Sequence, residues 1–516
     1  MFRENVEHLQ KDMFGLFYSM PESMQQKAED SEESAFYNWI FCNIDEQNFS
    51  SLYADSASRP NAPVNSMVSA LIWMHRNNWT YDKLFRDMQF NLLTRLSFGL
   101  DDVETMPFCP ATLFNFQNRL TSHYMETGQD LIEEIFDNLT SDQIKELGLK
   151  TNIQRTDSFL ANSNIRDYTR VQILVETVIR FYRVLSDSDK QEFYEYFKDY
   201  LQGSSGQYIY KLQKSELPHE IEKLAKLYQW IVKRFKKNYR DVEIYKRLKR
   251  VYHEHFTVKN KKVYVKPVEQ LSSDSLQSPD DPEATFRTKR GKNYKGRSIN
   301  IVESIHPDNE INVITDVAVT QNNKDDSAIL NERCQALISK TPDLEEIHYD
   351  GAYGSTQNDK KLQQHNITSV QTAVRGRKSL VRFEFEALDE NRYLVKCPCQ
   401  QTESTWTRTR FKACFDRRIC STCPHQDDCP AQKRKTNRTF YFDHDDVLKW
   451  HRANMIHHIP KERRTLRNNV EATVNEFKCK MRDGKLKVRN TFKTRIFAFT
   501  TAISVNFGRI YRYKMA

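Results

Sequence analysis

At 516 residues, with 39% hydrophobic and 28% charged residues, the chain is long enough for two to four domains that each bury a core, and its composition is ordinary for a soluble protein and implies no low-complexity fold. Its formal net charge of +9 is unevenly spread: residues 1–156 hold 12 Lys+Arg against 23 Asp+Glu, whereas residues 460–516 hold 15 against 4. The basic end predicts a polyanionic partner bound with salt-sensitive affinity.

The opening MFRENVEHLQKDMFGLF lacks the order of a signal peptide, and no apolar run approaches the ~18 residues of a membrane span, so a cytosolic protein without membrane association is expected. In that compartment ten cysteines predict thiols or metal ligands rather than disulfides. Residues 63–100 and PATLFNFQNRL (110–120) read as short amphipathic helices with helix-turn-helix-like spacing. This region is acidic, which favours dimerisation, or contact through a few local basic residues, over the main grip on a polyanion. TNIQRTDSFLANSNI (151–165) reads as a strand, and residues 166–265 as helical throughout. YQWIVKRFKKNYRDVEIYKRLKRVYHEHF (228–256) fits a helix with core aromatics as well as a polyanion-binding surface.

After the linker-like SSDSLQSPDDPEA (272–284), GRSINIVESI (296–305) and INVITDVAVT (311–320) flank HPDNE as a hairpin. A helix (327–339), the strand EEIHYD (345–350), a helix around 356–364 and the strand ITSVQTAV (367–374) follow, then a cysteine-rich interruption and a final long helix. Without the interruptions the order is that of an RNase H-like fold. The expected architecture is multidomain α+β: a helical N-terminal domain (1–150), a core with a mixed five-stranded sheet (151–165 and 285–378), a helical insertion and linker (166–284), a Cys-rich insertion (379–448), and a C-terminal part with a helix and basic tail (449–516).

In that fold the first and fourth strands lie ~4.8 Å apart, so Asp157 and Asp350 can converge. Gly351-Ala352-Tyr353 lets the chain turn away and leaves Asp350 at the sheet edge, where ligands of open sheets bind. Hard cations such as Mg²⁺ (or Mn²⁺) prefer carboxylate oxygens, and two ions can activate an attacking oxygen and stabilise a leaving one. The final helix offers Glu471 and Glu476. An apolar face of Leu466, Val470, Val474, Phe477 and Met481 puts Glu471 on the flank with Arg464, Arg467, Lys478 and Arg482, and Glu476 on the other, as a surface carboxylate.

The spacing of Arg467, Glu471 and Lys478 resembles the YREK signature of bacterial insertion-sequence DDE transposases. LQSPDDPEATFRTKRGKNYKGRSINIVESI (276–305), DGAYGS (350–355), TDSFLANSNI and residues 60–120 resemble one large branch of that family. The resemblance implies Asp157, Asp350 and Glu471 as ligands of two Mg²⁺ or Mn²⁺ ions, with Arg467 and Lys478 beside the transposon-end phosphates. It also implies cleavage and strand transfer on double-stranded DNA, at terminal inverted repeats and target, by a homodimer in the bacterial cytosol. Tyr353 and Arg482 join the DNA-contacting set. The signature's Tyr is replaced by Arg464, which can still hold a phosphate. A catalytically inactive DNA-binding regulator and a nuclease without strand transfer are the rival readings.

KCPCQQ (396–401), Cys414 and CSTCPHQDDC (420–429) supply thiolates at spacings that suit a structural zinc. Cys420, Cys423 and Cys429 lead, Cys397 is the fourth, and Cys399 and Cys414 stay open as substitutes. Arg408, Arg410, Lys412, Arg417 and Arg418 of this insertion could face DNA. GKNYKGRS (291–298) has Arg297 where a P-loop has Lys and runs into a strand rather than a helix, which excludes phosphate cradling. Asp316 reads as a partnered polar residue, and as the reserve should Asp157 not serve.

Overall fold

Alternating apolar residues in the central third of the chain build a mixed sheet in the computed structural model, which describes residues 1–9, 15–54, 59–102, 106–373 and 381–516. Its strands are β1 (Ile153–Asn162), β2 (Thr285–Lys289), β3 (Lys292–Ser304), β4 (Ile314–Gln321), β5 (Glu346–Tyr349) and β6 (Thr368–Gln371). The path runs β2-β3-β1-β5-β6, and β4 pairs with β3. β1 is antiparallel to β3 and parallel to β5, and β5 is parallel to β6. The sheet thus has six strands where five were expected, because TFRTK folds back on the first half of β3. Gly296 is required where β3 crosses β1: a Cβ there would lie 2.1 Å from the Ala161 carbonyl oxygen.

The helices that matter to the site are α1 (Val64–Arg76), α2 (Leu131–Glu146), α3 (Asp326–Lys340), α4 (Thr356–Gln364), α5 (His444–His458), α6 (Lys461–Thr465), α7 (Val470–Lys478) and α8 (Thr491–Met515). α8 is apolar nearly all round and packs against α1, α2 and β4 at once. Its Phe497 and Phe507 share one core with Trp73 and Phe136 of the N-terminal helices and with Phe159, Ile301 and Val317 of the sheet. The N-terminal helices and the sheet are therefore a single packed unit. The expected basic tail includes this buried helix, and several of its cations are paired with acids of the N-terminal helices and the sheet. Arg495 pairs with Asp130 at 2.6 Å and with Glu133, Arg509 with Glu303 at 3.0 Å, and Lys514 with Glu146.

The helical insertion has its own core, in which Tyr228, Phe235, Tyr245 and Tyr252 are buried, so these aromatics of the 228–256 stretch are core residues rather than a stacking surface. It is not helical throughout. FTVKNKKVYV closes as a hairpin, Phe256–Lys259 on Lys262–Val265, with Asn260 and Lys261 at φ 49° and 62°. The segment read as a linker is also anchored: Asp281, fully buried, takes two 2.8 Å hydrogen bonds from Arg297. Arg297 thus serves a buried ion pair, and GKNYKGRS lies in the hairpin entering β3.

The Cys-rich insertion is a second sheet with a separate core. Its strands are β7 (Glu384–Asp389), β8 (Arg392–Lys396), β9 (Gln401–Trp406), β10 (Phe411–Asp416), β11 (Gln432–Lys433) and β12 (Asn437–Phe442), in the order β11-β12-β10-β9-β8-β7. The boundary expected at 378/379 lies outside the described residues. Among the described residues no helix is long and apolar enough to cross a membrane.

Candidate active site

The last paired residues of β1 and β5 are Arg155 and His348, and two positions further on each strand stand Asp157 and Asp350. Parallel strands in register keep such residues side by side. Asp157 is nearly buried, and Asp350, just beyond β5, is 39% exposed and fixed by the Ala352 N–H, which donates to its Oδ1 at 2.8 Å.

The stretch carrying Arg467 and Glu471 is not one helix. Residues 466–469 form a turn between α6 and α7, so Arg467 and Glu471 do not share a helical face as the periodicity implied. The turn is what lets Arg467 reach the sheet. Its guanidinium lies 2.9 Å from Asp157 and 3.9 Å from Asp350, with its Nε buried and without an acceptor. Glu471 is exposed in the first turn of α7, whose Val470, Val474 and Phe477 pack inward. Burial pushes Asp157 up to about 6; Arg467 opposes that rise, while the negative charges of Asp350 and Glu471 add to it. The three carboxylates therefore share one electrostatic neighbourhood.

Lys478 ends α7 with its ammonium 5.8 Å from the Phe159 ring, on the face of β1 that carries Asp157. Arg482 is exposed beyond it, whereas Arg464 is half-buried and donates its Nε to the Ile459 carbonyl at 3.0 Å. Glu476 is not a lone surface carboxylate: it takes a 2.5 Å hydrogen bond from Arg509 of α8. Tyr353 departs most from expectation. It is 1% exposed and its hydroxyl accepts from Asn300 at 2.6 Å, so its ring braces the loop after Asp350 and cannot reach DNA. Asp316 is fully buried between Arg333 and Lys340, a partnered polar residue.

Sequence reading missed the support beneath the site. Glu303 of β3, fully buried, accepts from Arg155 at 2.7 Å, from Thr473 at 2.8 Å and from Arg509 at 3.0 Å. Arg155 also donates to the Leu466 carbonyl, which ties the turn bearing Arg467 to β1. Asn300 spans the strands, donating to Thr156 and to the Asp157 carbonyl. The available signal was polar residues inside the apolar run SINIVES.

In the insertion, Cys397, Cys399, Cys420, Cys423, Cys429 and His425 line one small hollow, and Cys414 does not. Cys399 and Cys423 bring their sulfurs to 3.4 Å. Among the described residues, no three His, Cys, Asp or Glu side chains close around a point as a metal cluster, here or at the carboxylates.

A family model described as "Transposase DDE domain" matches residues 390–511. That segment is similar to a transposase DDE domain. The matched segment runs from the Cys-rich sheet through α5, α6 and α7 into α8, and includes Arg467, Glu471 and Lys478 but neither aspartate. None of the curated proteins or solved structures compared matches the chain. A transposase domain implies DNA as partner and, as a class, divalent metal ions as cofactors.

Proposed function

We propose that the chain is a bacterial insertion-sequence DDE transposase that binds the terminal inverted repeats of its element and cleaves and joins DNA strands. The observation that carries the reading is the meeting of Asp157 and Asp350 at neighbouring strand ends, with Arg467 against both and the charge of Glu471 acting on Asp157. The strand order β4-β3-β1-β5-β6, with β3 antiparallel to both its neighbours β4 and β1 and with β1, β5 and β6 parallel, supports an RNase H-like core.

Three carboxylates in a partly desolvated corner suit hard divalent ions. Asp157, Asp350 and Glu471 would hold two Mg²⁺ or Mn²⁺, which when bound supply Lewis-acid activation of the attacking and leaving oxygens. The chain's own contribution is placement. The Arg155–Glu303–Thr473 lattice holds α7 and its preceding turn on β1. The buried Arg467 Nε is a donor in want of an acceptor, as a group awaiting a phosphate oxygen would be. Lys478 adds charge beside it, and oriented binding together with fixed positive charge lowers the barrier to phosphoryl transfer.

Cys420, Cys423 and Cys429 with Cys397 or Cys399 are the donor set for a structural zinc. The single hollow they line supports that, and Cys414, which faces elsewhere, drops out of the candidates. Handling two element ends favours a homodimer on DNA. The deciding experiment compares Asp350→Asn with wild type on duplexes that carry the DNA flanking the coding frame. Cleavage should be lost by ~10³-fold or more while end binding persists, and retained cleavage would overturn the assignment.

A further inference from the structure

We infer that a cationic groove at the carboxyl end of β1 is a track for the DNA phosphate backbone leading away from the carboxylate site; this rests on the transposase reading above. The groove, of about 910 Å³, runs between residues 162–169 at the root of the helical insertion, the hairpin entering β3, and the loop 482–487 between α7 and α8. Arg166, Lys295, Arg482, Lys485 and Lys487 line it against two carboxylates, Asp167 and Asp483, and Lys295 pairs with Asp167 at 2.5 Å. Among the described residues, no salt bridge joins the remaining cations to an acid. The Lys485 ammonium donates to the Ile165 carbonyl at 2.7 Å and that of Lys487 to the Trp79 carbonyl at 3.2 Å. Arg482 and Arg166 are exposed.

The loop is held rigid as an added rung on β1. The Asn162 N–H donates to the Gly484 carbonyl at 3.0 Å, the Leu486 N–H to Asn162 at 2.8 Å and the Asn164 N–H to Val488 at 3.1 Å. Asp483 and Gly484 make the turn at φ 52° and 73°. A cation on a pinned loop loses little entropy on meeting a phosphate. The groove also continues from the site: Lys478 stands over Phe159 of β1, and Arg482 follows four residues on. From Asp157 to Asn162 the strand rises ~16 Å, about five base pairs of duplex at 3.4 Å each, so the groove meets backbone a half-turn from the bond under attack.

The test uses the full chain and a fluorescent mixed-sequence DNA duplex titrated across salt. Replacing Arg482, Lys485 and Lys487 together by Gln should weaken binding at least 10-fold and flatten the log K versus log[salt] line by up to ~2.7, about 0.9 for each phosphate that is no longer neutralised. A control triple at exposed Lys226, Lys233 and Lys237 of the helical insertion should bind as wild type. Lys485→Arg with Lys487→Arg should keep the wild-type slope, which separates lost charge from lost folding. An unchanged slope in the groove triple, or an equal loss in the control triple, would overturn the groove. If the wild-type chain itself binds duplex without salt dependence, the transposase reading falls; if it binds and cleaves while the groove triple binds equally well, the groove alone falls.

Discussion

The segments 461–489 and 491–515 are both rich in Lys and Arg, and the fold treats them in opposite ways. In α8 two arginines turn inward: Arg495 meets Asp130 and Glu133, and Arg509 meets Glu303 and Glu476, while Arg512 and Lys514 near its end stay exposed. The two inward arginines knit α8 to the acidic start of α2 and to the buried Glu303 of the sheet. In the earlier segment Arg467 aims at two carboxylates, and Lys478 and Arg482 remain exposed. Charge count alone therefore does not mark a DNA surface, since Arg495 and Arg509, held by buried carboxylates in the core, are out of reach of phosphate.

That contrast can be broken at several points. The largest effect is expected at Glu303→Gln, which leaves Arg155 buried without its acid and Arg509 with Glu476 alone, and should cost about 3–5 kcal/mol in urea unfolding. His75 comes next. It is buried against Phe497 of α8, and burial, with Lys487 and Lys480 adding repulsion, lowers it to about 3 from 6.5. The unfolded chain then binds the proton that the folded one refuses, so stability is full above pH 6.5 and lost as pH falls toward 3. Between pH 7 and pH 4 the loss should be about 3 kcal/mol, and His75→Gln should remove that part of the slope. A wild-type curve as flat as that of the variant would contradict the burial argument.

Glu476→Gln should cost ~1 kcal/mol, since its pair with Arg509 is partly open to solvent, and should leave cleavage near wild type. Glu471→Gln should do the reverse, abolishing cleavage while changing stability by no more than ~0.5 kcal/mol, because its side chain is exposed. Equal losses of cleavage in the two variants would remove the distinction between these glutamates. The smallest effect on stability is expected at Arg482→Gln, within ~0.5 kcal/mol, with any change appearing in DNA binding instead.

Much of the core was legible in the sequence. Period-two runs at SINIVESI and INVITDVAVT, flanking HPDNE, fold as β3 and β4, and the helix read at 356–364 is α4. What failed did so for identifiable reasons. The wheel through Leu466–Met481 assumed an unbroken helix, but Arg155 captures the Leu466 carbonyl and the chain turns there. Glu471 keeps its side of the site and Arg467 reaches it by another route. Tyr353 looked like an exposed ring in a Gly-Ala-Tyr turn, and Asn300, more than fifty residues away, draws it into the core.

By itself the sequence determined the alternation that makes the strands, the small-residue exit after Asp350 and the order of the motifs, because these depend on neighbours a few residues apart. Only the tertiary structure decided which charges face outward. Pairs such as Arg509 with Glu303 or Arg297 with Asp281 join distant segments, and whether a cation meets a buried acid or a phosphate depends on packing that no local pattern encodes.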